Sequence, residues 1–240
     1  MATDRYSDRM RRAVLFDLFN TLVPGGADGL RDRVVRRMAD VLGVDPDAYL
    51  RIFDDTWPER LAGGMGDLTT MVGTLARRVG GRPSAEQVAR AAALRREMID
   101  SLLAAVPETT LSTLDEVRAA GWLLGLVSNT SGDDPDRFRR SRLAGRFDAT
   151  VFSSELRAGK PDPKIFLTAC ELLDVPPHAC VYVGDGGDDE LAAAAALGMR
   201  TIRTVEHADT VPGWRGPTVR TLAELPPLLP GPHPVSGRPG

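Results

Sequence analysis

Hydrophobic and polar positions fall along the chain in two kinds of block. Short runs rich in aliphatic and β-branched residues lie at 13–19, 122–129, 149–153 and 180–185, with a weaker one at 200–205. Each stops at polar residues, as a buried strand does. Between them, apolar residues recur at helical spacing over 112–120, 135–143, 164–173 and 188–197. This alternation predicts an α/β fold with a parallel sheet covered on both faces, because parallel strands are joined by crossovers and the crossovers carry the helices.

Residues 25–105 break the alternation. They hold almost no strand-like run and several amphipathic segments, at 30–42, 46–53, 68–79 and 84–106. In the first, Leu30, Val34, Met38, Val41 and Leu42 share a helical face. Pro83 stops the third, and Ser84 followed by Gln87 opens the fourth as a capping box. The interval is expected to be an α-helical domain (25–105) inserted into a core made of 1–24 and 106–225. Gly25 and Gly26 on entry and Pro107 on return are its expected hinges. The Pro/Gly-rich stretch 226–240 lacks apolar periodicity and is expected to be a disordered tail.

Charge narrows the partners. The 240 residues carry a formal net charge of -3 with acids and bases interspersed, unlike a nucleic-acid groove or a polybasic membrane surface. No run of about 18 apolar residues occurs. The charged N-terminal segment leads into the first strand without the apolar stretch of a secretory signal. A cytoplasmic protein is expected, monomer or homodimer, that binds a small molecule and neither nucleic acid nor membrane. Cys170 and Cys180 are read as buried thiols, and the single histidines His178, His207 and His233 as structural or exposed. Of 30 basic residues only Lys160 and Lys164 are lysine, so a primary amine has two possible sources.

In an open parallel sheet, ligands bind beyond the carboxyl ends of the strands. Those ends carry Asp17-Leu18-Phe19-Asn20-Thr21, Ser128-Asn129-Thr130, Gly159-Lys160-Pro161, and Gly184-Asp185 followed by Asp188, Asp189 and Glu190. One Asp at a strand end is usually a cap or turn residue; four polar ends in order on one sheet argue for a site. Converging carboxylates, a hydroxyl and an ammonium suit a divalent cation and an anionic substrate. Asp17 and Asp185 could give Mg2+ two oxygen ligands and a backbone carbonyl a third. With its charge screened, Asp17 could attack phosphorus and form an aspartyl-phosphate. Ser128 and Lys160 suit the stabilisation of the transferring oxygens. Asn20 suits the sharp turn after Asp17, because Asn tolerates the left-handed conformation.

At these residues the chain resembles the haloacid dehalogenase-like (HAD) superfamily of hydrolases, from about residue 13 to 225. FDLFNTLV is similar to the first family motif, LVSNTS to the second, GKPDPKIF to the third and VGDGGDDELAAAAALGM to the fourth. The resemblance implies a Rossmann-like core with an inserted helical cap that closes over the site and selects substrate, and Mg2+ as cofactor. It implies Asp17 as nucleophile with Thr21 in support, and Ser128, Asn129 and Lys160 on the substrate. Asp17, the Phe19 backbone carbonyl and Asp185 would hold the metal, with Asp189 and Glu190 supporting its shell.

One departure bears on the chemistry. Phosphatases of the family usually carry a second Asp, an acid and base for the leaving group and water, where this chain has Phe19. Three readings follow. The first is a Mg2+-dependent phosphatase or phosphotransferase acting on a small phosphorylated metabolite, with another group replacing the acid. The second is attack on carbon, as in the family's 2-haloacid dehalogenases, which also have an aromatic residue there. Those enzymes need no metal, lack an Asp where Asp185 stands, and use an early cap Arg for which Arg31 is a loose match. The third is a non-catalytic protein that binds a phosphorylated ligand. Gly184-Asp185 favours the first. Arg31, Arg60 and Trp57 could face the site but stay unassigned, since exposed arginines on helices are usually solvated surface.

Overall fold

The apolar runs form a parallel six-stranded sheet in the order β3-β2-β1-β4-β5-β6. Its strands are β1 (Ala13–Phe16), β2 (Leu123–Ser128), β3 (Ala149–Phe152), β4 (Cys180–Gly184), β5 (Arg200–Thr204) and β6 (Thr218–Val219). The computed structural model describes residues 11–26 and 29–230. The charged segment before residue 11, part of the glycine-rich entry to the insertion, and His233 with the end of the Pro/Gly-rich stretch lie outside the described residues.

Strand β1 is central, with Phe16 opposite Leu126 of β2 on one side and Val183 of β4 on the other. Successive residues of a strand point to opposite faces. Accordingly Val14, Phe16, Leu124, Leu126, Val181 and Val183 join one buried cluster, and Ala13, Leu15, Val127, Cys180 and Tyr182 another. Both faces are covered, which is why these strands read as continuous apolar runs. Strand β6, two residues long, carries no period of its own and is legible only as a partner of β5.

The first helices are α1 (Leu30–Leu42), α2 (Pro46–Asp55), α3 (Trp57–Leu61), α4 (Leu68–Arg78) and α5 (Ala85–Ala104). Helices α2, α4 and α5 begin where side chains satisfy the free N–H groups of a first turn. Asp45 accepts from Ala48 N and Asp67 from Thr70 N, both at 2.7 Å. The capping box forms as expected: Ser84 Oγ accepts from Gln87 N at 3.2 Å, and Gln87 Oε1 from Ser84 N at 2.8 Å. Helix α3 shows no periodicity in the sequence because five residues make little more than one turn.

These helices bury their own cluster, with Met38, Tyr49, Phe53, Met71, Leu75 and Ala91 at its centre. Helix α5 belongs to two clusters. Val88, Ala91 and Ala92 pack within the insertion, whereas Met98, Ile99, Leu102 and Leu103 pack against the sheet. Polar bridges reinforce this junction: Arg96 Nε lies 2.6 Å from Asp133 and Arg95 Nη2 3.3 Å from Asp134, the first residue of α7 (Asp134–Arg139).

Helix α6 (Glu108–Ala119) packs on the same face of the sheet, and α9 (Pro163–Leu173) and α10 (Glu190–Ala196) on the other. Between β3 and α9 lies the single turn α8 (Ser153–Leu156). Cys170 and Cys180 are free, buried thiols 3.7 Å apart. The stretch expected to be disordered from residue 226 is ordered at its start. Pro226–Leu228 forms a helical turn, Leu228 and Leu229 pack against the core, and Arg12 donates to the Pro230 carbonyl at 2.8 Å. No helix among the described residues is long and apolar enough to cross a membrane.

Candidate active site

The strand order reverses between β1 and β4, so their carboxyl ends border one crevice. Asp17 is the residue after β1, and its N–H still donates to Val183 O at 2.9 Å. The ladder stops there, earlier than the apolar run 13–19 suggests, because the chain coils back. The N–H groups of Leu22 and Val23 both donate to Leu18 O, at 2.8 and 3.1 Å. Asn20 takes φ 60°, the left-handed turn expected of it. Its Oδ1 then accepts from Gly25 N at 2.9 Å. A side chain at position 25 would run into that amide, so the close approach requires glycine.

Asp185 follows β4. Carboxylate oxygens of Asp17, Asp185 and Glu190 lie within 4.8 Å of one another, and all three residues are buried. The Lys160 ammonium sits among them, bonded to Asp17 and, at 2.6 Å, to Glu190 Oε2. Glu190 also accepts from the Tyr182 hydroxyl at 2.7 Å and from Gly186 N at 3.0 Å. Gly184 gives Glu190 room, since a Cβ there would overlap its carboxylate.

The electrostatics follow from this crowding. Burial raises the Asp17 carboxyl above its ordinary value; Lys160 opposes that rise and Asp185 adds to it. Burial likewise pushes Glu190 up to about 8 against the pull of Lys160. Burial alone would discharge Lys160, but the Asp17 and Glu190 carboxylates outweigh it and hold the ammonium well above its usual range. Three carboxylates crowd one ammonium, and the repulsion among them adds to burial in raising Asp17 and Glu190. A buried set of carboxylate oxygens that repel one another fits a hard divalent cation, which would hold them ionised.

The remaining expected residues divide. Asn129 lines the cavity, but its amide is engaged by the next loop. Oδ1 accepts from Lys160 N at 2.8 Å, and Nδ2 donates to Lys160 O at 3.0 Å and to Asp188 Oδ2 at 2.7 Å. It therefore clamps the backbone that carries the ammonium. Thr21 and Ser128 are fully buried, their hydroxyls have no hydrogen-bond partner, and neither lines the cavity. Asp188 and Asp189 are consecutive left-handed residues, at φ 52° and 53°. After them Glu190 points inward, while Asp189 is exposed and stands apart from the acidic cluster. Lys164 is exposed at the start of α9.

Above the cluster is a cavity of about 510 Å³. Its floor includes Asp17, Phe19, Lys160 and Asp185; the inserted helices supply Arg31, Phe53, Trp57, Arg60, Arg95 and Met98. Arg60, unassigned from sequence, is buried and lines the cavity.

Residues 11–197 match the family described as hydrolase: haloacid dehalogenase-like hydrolase. The chain belongs to that family. This hydrolase is 30% identical over 205 residues to glyceraldehyde 3-phosphate phosphatase of Methanopyrus kandleri, covering 81% of this chain and 84% of that protein. It is also 29% identical over 146 residues to (S)-2-haloacid dehalogenase 4A of Burkholderia cepacia, covering 56% of this chain and 62% of that one. Among solved structures, 2-haloacid dehalogenase from Pseudomonas syringae pv. tomato superposes with a TM-score of 0.66 at 25% identity, covering 91% of this chain and 98% of that chain.

Several residues that build the hydrolase's site went unread in its sequence. Tyr182 looked like one more apolar position of β4; the signal was its hydroxyl, which demands a partner once buried. Arg203 Nε and Thr210 Oγ1 both donate to the Asp185 carbonyl, at 3.0 and 2.7 Å, and so hold the main chain behind that carboxylate. Nothing in the local sequence marks either. Arg95 and Asp134 meet across 39 positions of chain, a pairing that no spacing rule reaches.

Proposed function

We propose that this hydrolase is a Mg2+-dependent phosphatase or phosphotransferase that acts on a small phosphorylated metabolite through Asp17, with the helices of residues 30–104 as its cap. The buried Asp17, Asp185 and Glu190 carboxylates, gathered around one ammonium, carry the reading. Asp17, Asp185 and the Phe19 carbonyl would hold the cation, which would offset the repulsion between this cluster and a phosphate. An Asp17 oxygen forms the bond to phosphorus as the ester P–O bond breaks and the leaving oxygen takes the electron pair. Water then releases phosphate and restores the carboxylate. Lys160, fixed by Asp17, Glu190 and the Asn129 clamp, presents its charge to the transferring oxygens without reorganising.

Phe19 lines the cavity and can transfer no proton to the leaving oxygen. Leaving groups that depart as stable anions, such as acyl and aryl phosphates, suit the site best. Phe19→Asp is expected to raise kcat for alkyl phosphates by roughly 100-fold or more if the acid is the one missing part. No gain in a steady-state assay of glycerol 3-phosphate would show that the site is not arranged for ester hydrolysis.

Phe19 and the similarity to dehalogenases also support a second reading, attack by Asp17 on a halogen-bearing carbon. Chelation separates the two. Removing divalent metal with EDTA is expected to lower aryl phosphate turnover at least about 100-fold, with recovery on adding Mg2+. Turnover of 2-chloropropionate that EDTA leaves unchanged would overturn the phosphatase reading. Phosphate binding without turnover of either compound would favour a binding protein.

A further inference from the structure

Arg60 is 2% exposed, and a buried charge ordinarily has an opposite charge bonded to it. The other cations lining the cavity obey that rule. Lys160 bonds Asp17 and Glu190, Arg95 lies 3.3 Å from Asp134, and Arg31 bonds Asp54 and Asp32. Among the described residues Arg60 has no carboxylate at salt-bridge distance. Its Nη2 donates to Phe53 O at 2.6 Å and its Nη1 to Ser131 Oγ at 3.3 Å, both neutral acceptors, and its Nε–H has no acceptor. Neither does the Nε–H of Arg95, which lines the same cavity.

The surroundings of Arg60 call for an anion. The Phe53 and Trp57 rings lie 3.9 and 5.0 Å from its guanidinium carbon. Rings attract a cation's face but accept none of its in-plane hydrogen bonds. Asp54 and Asp134 are near enough to be felt, yet each is bonded to another arginine. Burial, together with the Arg95 and Arg31 charges, pushes Arg60 down to about 9, so it remains protonated at neutral pH.

We propose that Arg60 anchors a second anion subsite in this cavity, and that the substrate is a small phosphomonoester that also carries a carboxylate. The proposal rests on the phosphatase reading and names its substrate class. One unpaired positive charge suits a singly charged carboxylate better than a second phosphate, and a planar guanidinium matches a planar carboxylate with two parallel bonds. The two cations line one cavity of about 510 Å³, and one short loop supports both: Ser131 holds Arg60 and Asn129, two residues earlier, holds the Lys160 backbone.

The test uses two pairs of aryl phosphate esters, whose leaving groups need no acid, that differ in the carboxylate: 4-carboxyphenyl with 4-carbamoylphenyl phosphate, and 3-carboxyphenyl with 3-carbamoylphenyl phosphate. Wild-type protein with Mg2+ is expected to favour the carboxylated member of at least one pair by about 10-fold or more in kcat/KM. Arg60→Gln is expected to lower that preference about 10- to 100-fold, and Arg60→Lys, which keeps the charge without the fork, to lower it less. If Arg60 only supported the fold, both members would suffer alike and the ratio would stay constant, which would overturn the proposal. The wild-type ratio tests the same point even if a variant fails to fold. Titration calorimetry on Asp17→Asn protein, with the same esters, reads the preference without turnover. Turnover with no preference in either pair sinks the subsite and leaves the phosphatase reading. Arg60-dependent binding of the carboxylated esters with no phosphoester turnover does the reverse.

Discussion

Asp17→Asn is expected to lower kcat for p-nitrophenyl phosphate by more than about 10⁴-fold, to the background of the assay. An amide oxygen has the shape of the carboxylate without its nucleophilicity, and removing a covalent nucleophile typically costs that much or more. The variant also separates chemistry from folding. Asp17 is one of three buried carboxylates around a single ammonium, so replacing it by a neutral isostere relieves repulsion from Asp185 and Glu190 as it removes one bond to Lys160. The thermal midpoint is therefore expected to stay near that of the wild type. Activity within about tenfold of wild type, measured on folded variant, would exclude Asp17 as the attacking group.

Lys160→Ala is expected to cost more stability than Asp17→Asn and to lower turnover as well. Lys160 is 5% exposed and ties Asp17 to Glu190 in the interior. Its loss strands two carboxylates that burial already pushes toward protonation. Breaking one partner out of a buried ion network costs about 3–5 kcal/mol, to be read from urea unfolding with metal removed. The lost donor to the transferring oxygens should lower kcat by about 10²- to 10³-fold. Lys160→Arg keeps the charge but not the compact ammonium among Asp17, Glu190 and Tyr182. It should therefore recover part of the stability and little of the activity. An alanine variant as stable as wild type, with kcat within about threefold, would contradict the role of Lys160 in this network.

How these residues read in the sequence depended on the range of the interaction involved. The capping box at Ser84 and Gln87, the left-handed turn at Asn20 and the buried strands on either side of β1 are set by neighbours a few positions away, and all were legible as patterns. The same range explains the failures. Helix α3 and strand β6 are too short to show a period. Pro226–Leu228 looked disordered because its apolar contacts are with distant elements. Of the acids after β4, Asp189 and Glu190 were equivalent as letters. Two left-handed residues before α10 turn one of them out and the other in.

Strand-helix periodicity and the polar residues at the strand ends were enough to predict a parallel α/β core with Asp17, Lys160 and Asp185 beyond its strand ends, because strand periods and chain order are properties of the chain itself. Packing decided the rest. It placed the bonded pair Glu190 and Tyr182 against the Lys160 ammonium, turned Asn129 into a clamp, and carried Arg60 into the interior beside Ser131, 71 positions away. Burial and facing across such separations depend on how helices pack on the sheet, and a guanidinium that would be solvated on an isolated helix becomes, in this fold, an unpaired charge over the cavity.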